Sequence, residues 1–338
     1  MDLAALTEEE QVARLTELAR AALPAWGLAA PDVAVTLIKY RENAVFGVAA
    51  GDRRHVLRVH RPGYRTDAAI RSEMAWVRAL AARGIPTPAV ATTLGGDVLT
   101  VAAADGVPEP RQCDLIGWVE GEPLGSLERG VALDEAALRR SYETVGALAA
   151  RIHAHGVAWA RPADFSRPSW DAASLVGDDP AWGRFWELDA LEAGQRAVLL
   201  RARDRTRARL AALGPADLLV HGDLIPDNIL ASTAGTRVID FDDCGWSWCA
   251  FELVTSLFPL LVSGGFDAGL AGYLDGYRGV RPFPEAELAH LPSLVMARAL
   301  SYLGWPVGRP EIHSQRAIVP LIAAAVTELA EGYLRDEG

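Results

Sequence analysis

His221-Gly222-Asp223-Leu224-Ile225-Pro226-Asp227-Asn228, followed by Val238-Ile239-Asp240-Phe241-Asp242-Asp243, is the stretch around which the rest of the chain can be read. The run Asp217-Leu218-Leu219-Val220 leads into it. Gly222 and Pro226 break helical continuity, so residues 221–228 form a loop from which Asp223 and Asn228 project. Ile229-Leu230, the polar turn Ser232-Thr233-Ala234-Gly235-Thr236 and Val238-Ile239 read as a hairpin that returns Asp240 to the side of that loop. Two carboxylates and one amide therefore converge.

Phosphoryl transfer requires a carboxylate that orients an attacking hydroxyl and accepts its proton, with oxygen ligands that hold Mg²⁺ against the β- and γ-phosphates. Asp223 suits the first role and Asn228 and Asp240 the second. Asp242 is placed near a second metal, Asp243 is read as structural, and His221 is expected to brace the loop by hydrogen bonding. An Asp, an Asn five residues on and an Asp ending the next hairpin follow the order of kinase catalytic and metal loops. A capped turn with solvated acids would account for one such motif, but not for both in the right order.

In this spelling, His-Gly-Asp-x-x-x-x-Asn and then Ile-Asp-Phe, the chain resembles the aminoglycoside phosphotransferase and choline kinase-like superfamily. Ile239-Asp240-Phe241-Asp242-Asp243 looks most like its bacterial stress-response-kinase and homoserine-kinase-type branch. The resemblance runs from Glu42 to Leu253 and is sharp at the two motifs.

The 338 residues, 50% of them hydrophobic, suffice for two lobes with sizeable cores. The first ten residues lack the order of a secretion signal and no apolar run reaches the length of a membrane span, so a cytoplasmic protein without a membrane partner is expected. Cys113, Cys244 and Cys249 form no even disulfide framework and read as reduced, mostly buried thiols. A formal charge of −11 makes nucleic acid a poor partner and suits a cationic or neutral substrate.

Thr7-Glu8-Glu9-Glu10 is a capping box for a leading helix with Val12, Leu15, Leu18 and Ala22 on one face. Runs 33–38, 44–49 and 55–60 are rich in β-formers and begin an antiparallel sheet. Further strands are expected at 89–94, 98–103 and 113–118. The loop 39–43 is not glycine-rich; it is either a plain hairpin turn or, as the resemblance implies, a place where Asn43 faces phosphates. Arg58 occupies the third-strand position where kinases carry a lysine, and Lys39 is the only lysine in the chain. Guanidinium binds phosphate bidentately, so Arg58 is read as the phosphate clamp, lying in a cleft rather than in the core. Glu73, on a helix capped by Thr66, is read as the acid that orients it. By order alone, Gly117-Trp118-Val119-Glu120-Gly121 corresponds to the family's hinge, whose backbone bonds adenine.

Beyond the hinge, a helix is expected from Asp134, with His153 and His155 packing near its end, and four later apolar runs read as helices of the larger lobe. The segment 159–189, with Trp159, Trp170, Trp182 and Trp186, either shapes an acceptor pocket or pins a long connection to the core. The resemblance implies an α+β, bilobal protein-kinase-like fold. A nucleotide-binding lobe, with a five-stranded antiparallel sheet and one key helix, would span 1–116, a hinge 117–121 and a mainly helical lobe 122–338. It also implies an ATP- and Mg²⁺-dependent phosphotransferase acting on a hydroxyl of a small molecule, such as an aminoglycoside, amino alcohol, sugar or nucleoside. GTP is an alternative donor. A stress-response-type Ser/Thr protein kinase and a catalytically silent nucleotide-binding module are the competing functions.

Overall fold

Alternating side chains along the first strands, and a capped helix before them, build the first unit. The structure is a computed structural model that describes residues 3–28, 33–127, 129–309, 312 and 318–335. It divides into one unit of Met1–Glu120 with Ala160–Ser166 and a second of Gly121–Trp159 with Arg167–Gly338.

In the first unit, α1 (Glu8–Ala22) starts at the Thr7 capping box, with the Glu10 side chain returned to the Thr7 N–H at 3.0 Å. Strands β1 (Val33–Tyr40), β2 (Ala44–Ala50), β3 (Arg53–Val59), β4 (Leu99–Ala102) and β5 (Arg111–Gly117) form an antiparallel sheet in the order β1-β2-β3-β5-β4. Side chains alternate across it. Phe46, Val48, Leu57, Val59, Cys113 and Leu115 join Leu15, Leu18 and Ala19 of α1 in one buried cluster. The intervening positions of β3 and β5 carry Arg58 and Asp114, which face each other in register. Helix α2 (Asp67–Ala82), capped by Thr66, supplies Glu73 to that pair. The expected strand at 89–94 reduces to a single bridge between Val90 and Ile116; the N–H groups of Thr93 and Leu94 go instead to the carbonyls of Asp97 at 2.7 Å and Ala25 at 2.8 Å.

In the second unit, β6 (Glu122–Pro123) precedes α3 (Glu135–Ala158), α4 (Ala172–Val176) and α5 (Ala193–Leu210). Then β7 (Leu218–Val220) leads to the hairpin of β8 (Ile229–Ser232) and β9 (Gly235–Val238), with Ser232 opposite Gly235 across a two-residue turn. Strand β10 (Gly245–Ser247) pairs with β7, and β6 with β8. Helices α6 (Cys249–Leu257), α7 (Leu260–Ser263), α8 (Phe266–Arg278), α9 (Glu285–Leu288), α10 (Leu291–Gly304) and α11 (Val319–Arg335) complete it. The four apolar runs expected to be helical fall within these helices or their immediate ends. Segment 160–166, expected in the helical lobe, groups instead with the first unit, where the Ser166 N–H donates to Ser72 Oγ at 2.9 Å. Cys113, Cys244 and Cys249 are buried and form no disulfide among the described residues, and no helix among those residues is long and apolar enough to cross a membrane.

Helix α3 packs along α8 at backbone contact. A Cβ built on Gly276 would lie 1.8 Å from the Glu143 carbonyl oxygen, which a rigid helix cannot move aside. Gly276→Ala should therefore destabilise the protein by about 1–3 kcal/mol, the usual cost of overpacking. Gly194→Ala, in α5 with open space around its Cβ, should leave thermal stability unchanged or raised. Thermal unfolding of the two variants checks this: equal midpoints would mean the two helices have room between them.

Candidate active site

The hairpin β8–β9 opens onto both motifs. Asn228 precedes β8 and Ile239 follows β9, and the Ile239 N–H donates to the Asn228 carbonyl at 3.0 Å, one rung beyond the paired strands. The amide of Asn228 donates to Asp223 twice, to the backbone carbonyl at 2.8 Å and to Oδ2 at 2.9 Å. Both contacts are to oxygen, so the assignment of Asn228 Nδ2 is fixed by chemistry. Asp223 is fixed on its other oxygen too: Arg298 Nη2 donates to Oδ1 at 2.7 Å. Asn228 and Arg298 are buried, while the Asp223 side chain keeps 20% exposure.

His221 holds the two loops together. Its Nε2–H donates to the Ile239 carbonyl at 3.0 Å and its Nδ1 accepts the Asp223 N–H at 3.2 Å, which defines a neutral tautomer. Burial pushes its pKa down to about 4, against the opposing effect of the Ile239 bond, so the ring stays uncharged at neutral pH. Its ring packs 4.4 Å from that of Phe241. The expected brace is thus present in geometry.

Gly222 adopts φ +82°, and a Cβ there would lie 2.2 Å from the Asp243 carbonyl, so only glycine lets the two loops approach. Its N–H donates to Glu252 Oε2 at 2.8 Å. Glu252 is fully buried in α6, and burial, reinforced by the charge of Asp223, raises its pKa to about 8.

Asp240 has φ +64°, the only positive value at a non-glycine among the described residues. Asp tolerates this region better than most residues, and such conformations cluster where a side chain must be aimed. Asp242 is buried in the segment that follows. Arg167 staples that segment, donating to the carbonyls of Cys244 at 2.7 Å, Phe241 at 3.4 Å and Asp242. Trp170 Nε1 donates to the Asp243 carbonyl at 2.7 Å. Of the two readings of segment 159–189, pinning to the core is the one these contacts display at Trp170. Asn228 and Asp240 supply hard oxygen donors of the kind Mg²⁺ prefers, although no group of three or more His, Cys, Asp or Glu side chains among the described residues is arranged to hold a metal ion by itself.

In the first unit, Arg58 Nη1 reaches Glu73 Oε1 at 2.8 Å, as expected. Unexpectedly, its Nε and Nη2 also fork onto Asp114 at 3.0 and 2.9 Å, and His60 Nε2 lies 2.5 Å from the same carboxylate. Burial alone would raise the pKa of Asp114, but Arg58 and His60 outweigh it and the net shift is downward. All four side chains are buried, so Arg58 is tied into an ion-pair cluster more deeply than the open cleft position expected for it. Removing one member of a buried pair costs about 3–5 kcal/mol, so Arg58→Ala would test the fold before any function.

The other first-unit candidates are bound into the sheet. Asn43 sits in the β1–β2 turn, its Oδ1 accepting the Arg61 N–H at 3.3 Å. Gly117 N–H donates to Ala89 at 2.6 Å and Trp118 N–H to Arg54 at 3.1 Å, with the Arg54 guanidinium 3.8 Å from the Trp118 ring centre. Val119 follows directly, and its N–H has no such bond among the described residues.

Asp114, His60, Arg167 and Arg298 were not singled out from the sequence. A legible signal existed for Asp114, a charge in the otherwise apolar run Cys113-Asp114-Leu115-Ile116, and for Arg298, a charge in Leu294-Val295-Met296-Ala297-Arg298-Ala299-Leu300. Buried charges require partners.

A five-stranded antiparallel sheet with one ion-paired helix, and a mainly helical unit bearing an Asp–Asn loop and a hairpin Asp, define a protein-kinase-like fold. Residues 35–288 match the phosphotransferase enzyme family, and the chain belongs to it: it is a small-molecule kinase. A homoserine kinase of Rhizobium rhizogenes is 31% identical over 210 residues, 58% of this chain and 61% of that protein. The solved structure of a microcompartment-associated aminopropanol kinase is 29% identical, with a TM-score of 0.80 over 94% of this chain and 96% of that one. An amicoumacin kinase solved with AMP-PNP and Ca²⁺ shares the fold at 18% identity, with a TM-score of 0.69 over 95% and 94% of the two chains.

Glu252 yields a stability prediction. Its folded pKa of about 8 lies above its ordinary value of 4.5, so its contribution is fully present below 4.5 and is lost as pH rises through 8. Denaturant unfolding from pH 5 to 8 should show Glu252→Gln, which cannot ionise, gaining on the unmutated protein as pH rises. A constant difference, or one that shrinks with pH, would mean Glu252 is charged throughout.

Proposed function

We propose that the chain transfers the γ-phosphoryl group of ATP to the hydroxyl of a small amino alcohol or hydroxy amino acid, with Mg²⁺. The observation that carries this is the Asp223 carboxylate held on Oδ1 by Arg298 and on Oδ2 by Asn228, beside a hairpin that ends in Asp240. Asp223 orients the acceptor hydroxyl and takes its proton, the hydroxyl oxygen bonds to the γ-phosphorus, and the bond from that phosphorus to the β-phosphate oxygen breaks, leaving ADP. Asn228 and Asp240, with Asp242 for a second ion, would hold Mg²⁺, which would neutralise charge on the phosphates. His221 keeps the two loops in register. Arg58, oriented by Glu73 and Asp114, is the phosphate contact in this reading, Asn43 faces the phosphates, and the backbone at Gly117, Trp118 and Val119 receives adenine. Since the N–H groups of Gly117 and Trp118 are spent in the sheet, Val119 is the donor of choice.

Two comparisons support this acceptor class. The homoserine kinase and the aminopropanol kinase are named for compounds that carry an amine as well as a hydroxyl. A net charge of −11 agrees with a cationic acceptor. The nucleotide and divalent ion in the amicoumacin kinase structure agree with the donor.

Purified protein with MgATP, followed by ADP release and by ³¹P detection of product, should turn over aminopropanol or homoserine in preference to aminoglycosides, sugars, nucleosides or a protein substrate. Asp223→Asn should lower that turnover by about 10²–10⁴-fold, the worth of general-base catalysis, with nucleotide binding retained. Turnover confined to an aminoglycoside or a protein would refute the acceptor class. A fully active Asp223→Asn would remove that residue as base.

A further inference from the structure

We propose that Arg298 is the positioning residue for Asp223: an internal cation, seated in an aromatic box, that fixes the direction of the base. The proposal rests on the reading of Asp223 as base.

Helix α10 presents Leu294, Val295, Met296, Ala297, Ala299 and Leu300 to the interior. A guanidinium in that company, 2% exposed, is costly to bury, and the apolar packing of the helix gives no reason for it. Its surroundings explain the choice of Arg over Lys. The Arg298 guanidinium carbon lies 4.6 Å from the ring centres of both Trp182 and Tyr302 and 5.8 Å from that of Phe251. Trp182 packs edge-on against Tyr302 at 5.5 Å, so the walls of the box brace each other. A planar cation between rings has its plane fixed by stacking, which an ammonium does not.

The bonds at its tip complete the argument. Nη2 carries two protons, and they go to Asp223 Oδ1 at 2.7 Å and Tyr302 Oη at 3.0 Å. The rings set the plane, Tyr302 sets the rotation within it, and the remaining proton is aimed at Asp223. With Asn228 on Oδ2, the carboxylate plane is held from an element 75 residues away in sequence as well as from its own loop. The 20% exposure of the side chain leaves room for an acceptor hydroxyl. Misplacement of a reacting group by about 1 Å can cost about 10²-fold in rate, so the aim of this carboxylate is worth a buried charge.

The test measures turnover of MgATP by the full chain, with aminopropanol as acceptor and with water alone. The variants are Arg298→Lys and Tyr302→Phe, each made in the unmutated and in the Asp223→Asn background, with thermal midpoints recorded alongside. Arg298→Lys should lower kcat by about 10²-fold with the KM for ATP unchanged. Tyr302→Phe, which keeps the ring and the charge but frees the rotation, should lower kcat by less. In the Asp223→Asn background both losses should disappear, because a residue that acts through another has nothing left to position.

Equal fold-losses in the two backgrounds, or losses that fall on the KM for ATP or follow the thermal midpoint, would overturn the proposal and leave Arg298 as a tie between α10 and the loop. Should Arg298→Lys fail to fold, the Tyr302→Phe pair decides in the same way. Asp223→Asn alone tests the base: full activity in that variant, or no turnover of either acceptor by the unmutated chain, overturns that reading and the proposal with it.

Discussion

A carboxylate held on both oxygens is the constraint on which the second unit depends. Asp223 accepts from Arg298 on one side and from Asn228 on the other, and each of those donors is placed by a different piece of chain. Asn228 stands at the foot of the β8–β9 hairpin, whose other foot leads to Asp240. Arg298 comes from α10, which packs against α4, α5, α6 and α11. The helices of this unit therefore bear on the Asp223 carboxylate by fixing where one guanidinium points. Gly222 and Glu252 serve the same end from below, since the loop passes the Asp243 carbonyl at a distance that excludes any side chain, and a buried carboxyl group takes up its N–H.

The first unit repeats the solution with the charges reversed. There the central group is the Arg58 guanidinium, and the partners that fix it are the carboxylates of Glu73 and Asp114, the latter backed by His60. Two acids around one cation leave the cluster with no excess positive charge. The isolated desolvation cost of such a cluster is high, and it is offset at its centre, where Arg58 bonds both acids and Asp114 bonds both Arg58 and His60.

How much of this was legible follows from the range of the interactions involved. The capping box at Thr7, the alternation in β1 to β3, the β8–β9 hairpin and the loop of Asp223 and Asn228 are local, and each could be read from a few consecutive residues. So could the Glu73 partner of Arg58, because the strand and helix that carry them are neighbours in sequence. Asp114 and Arg298 were missed for the opposite reason: each is a lone charge in an apolar segment, and its partner lies 56 and 75 residues away, respectively. Helix α5 was missed too. Its buried stripe of Leu199, Ala202, Thr206 and Leu210 has helical spacing, but it is diluted by arginines and includes a threonine. The Trp-rich segment reads two ways in sequence because its anchors are distant: Arg167 and Trp170 bond the carbonyls of residues 241–244.

The central claim is that Asp223 acts as a base and never bonds to phosphorus. The stereochemical course at the γ-phosphorus tests this most directly. ATP made chiral at that centre with oxygen isotopes is turned over with the acceptor, and the configuration of the phosphorylated product is determined. A single in-line attack by the acceptor hydroxyl predicts inversion; retention, the mark of two successive displacements through a phosphorylated carboxylate, would contradict it.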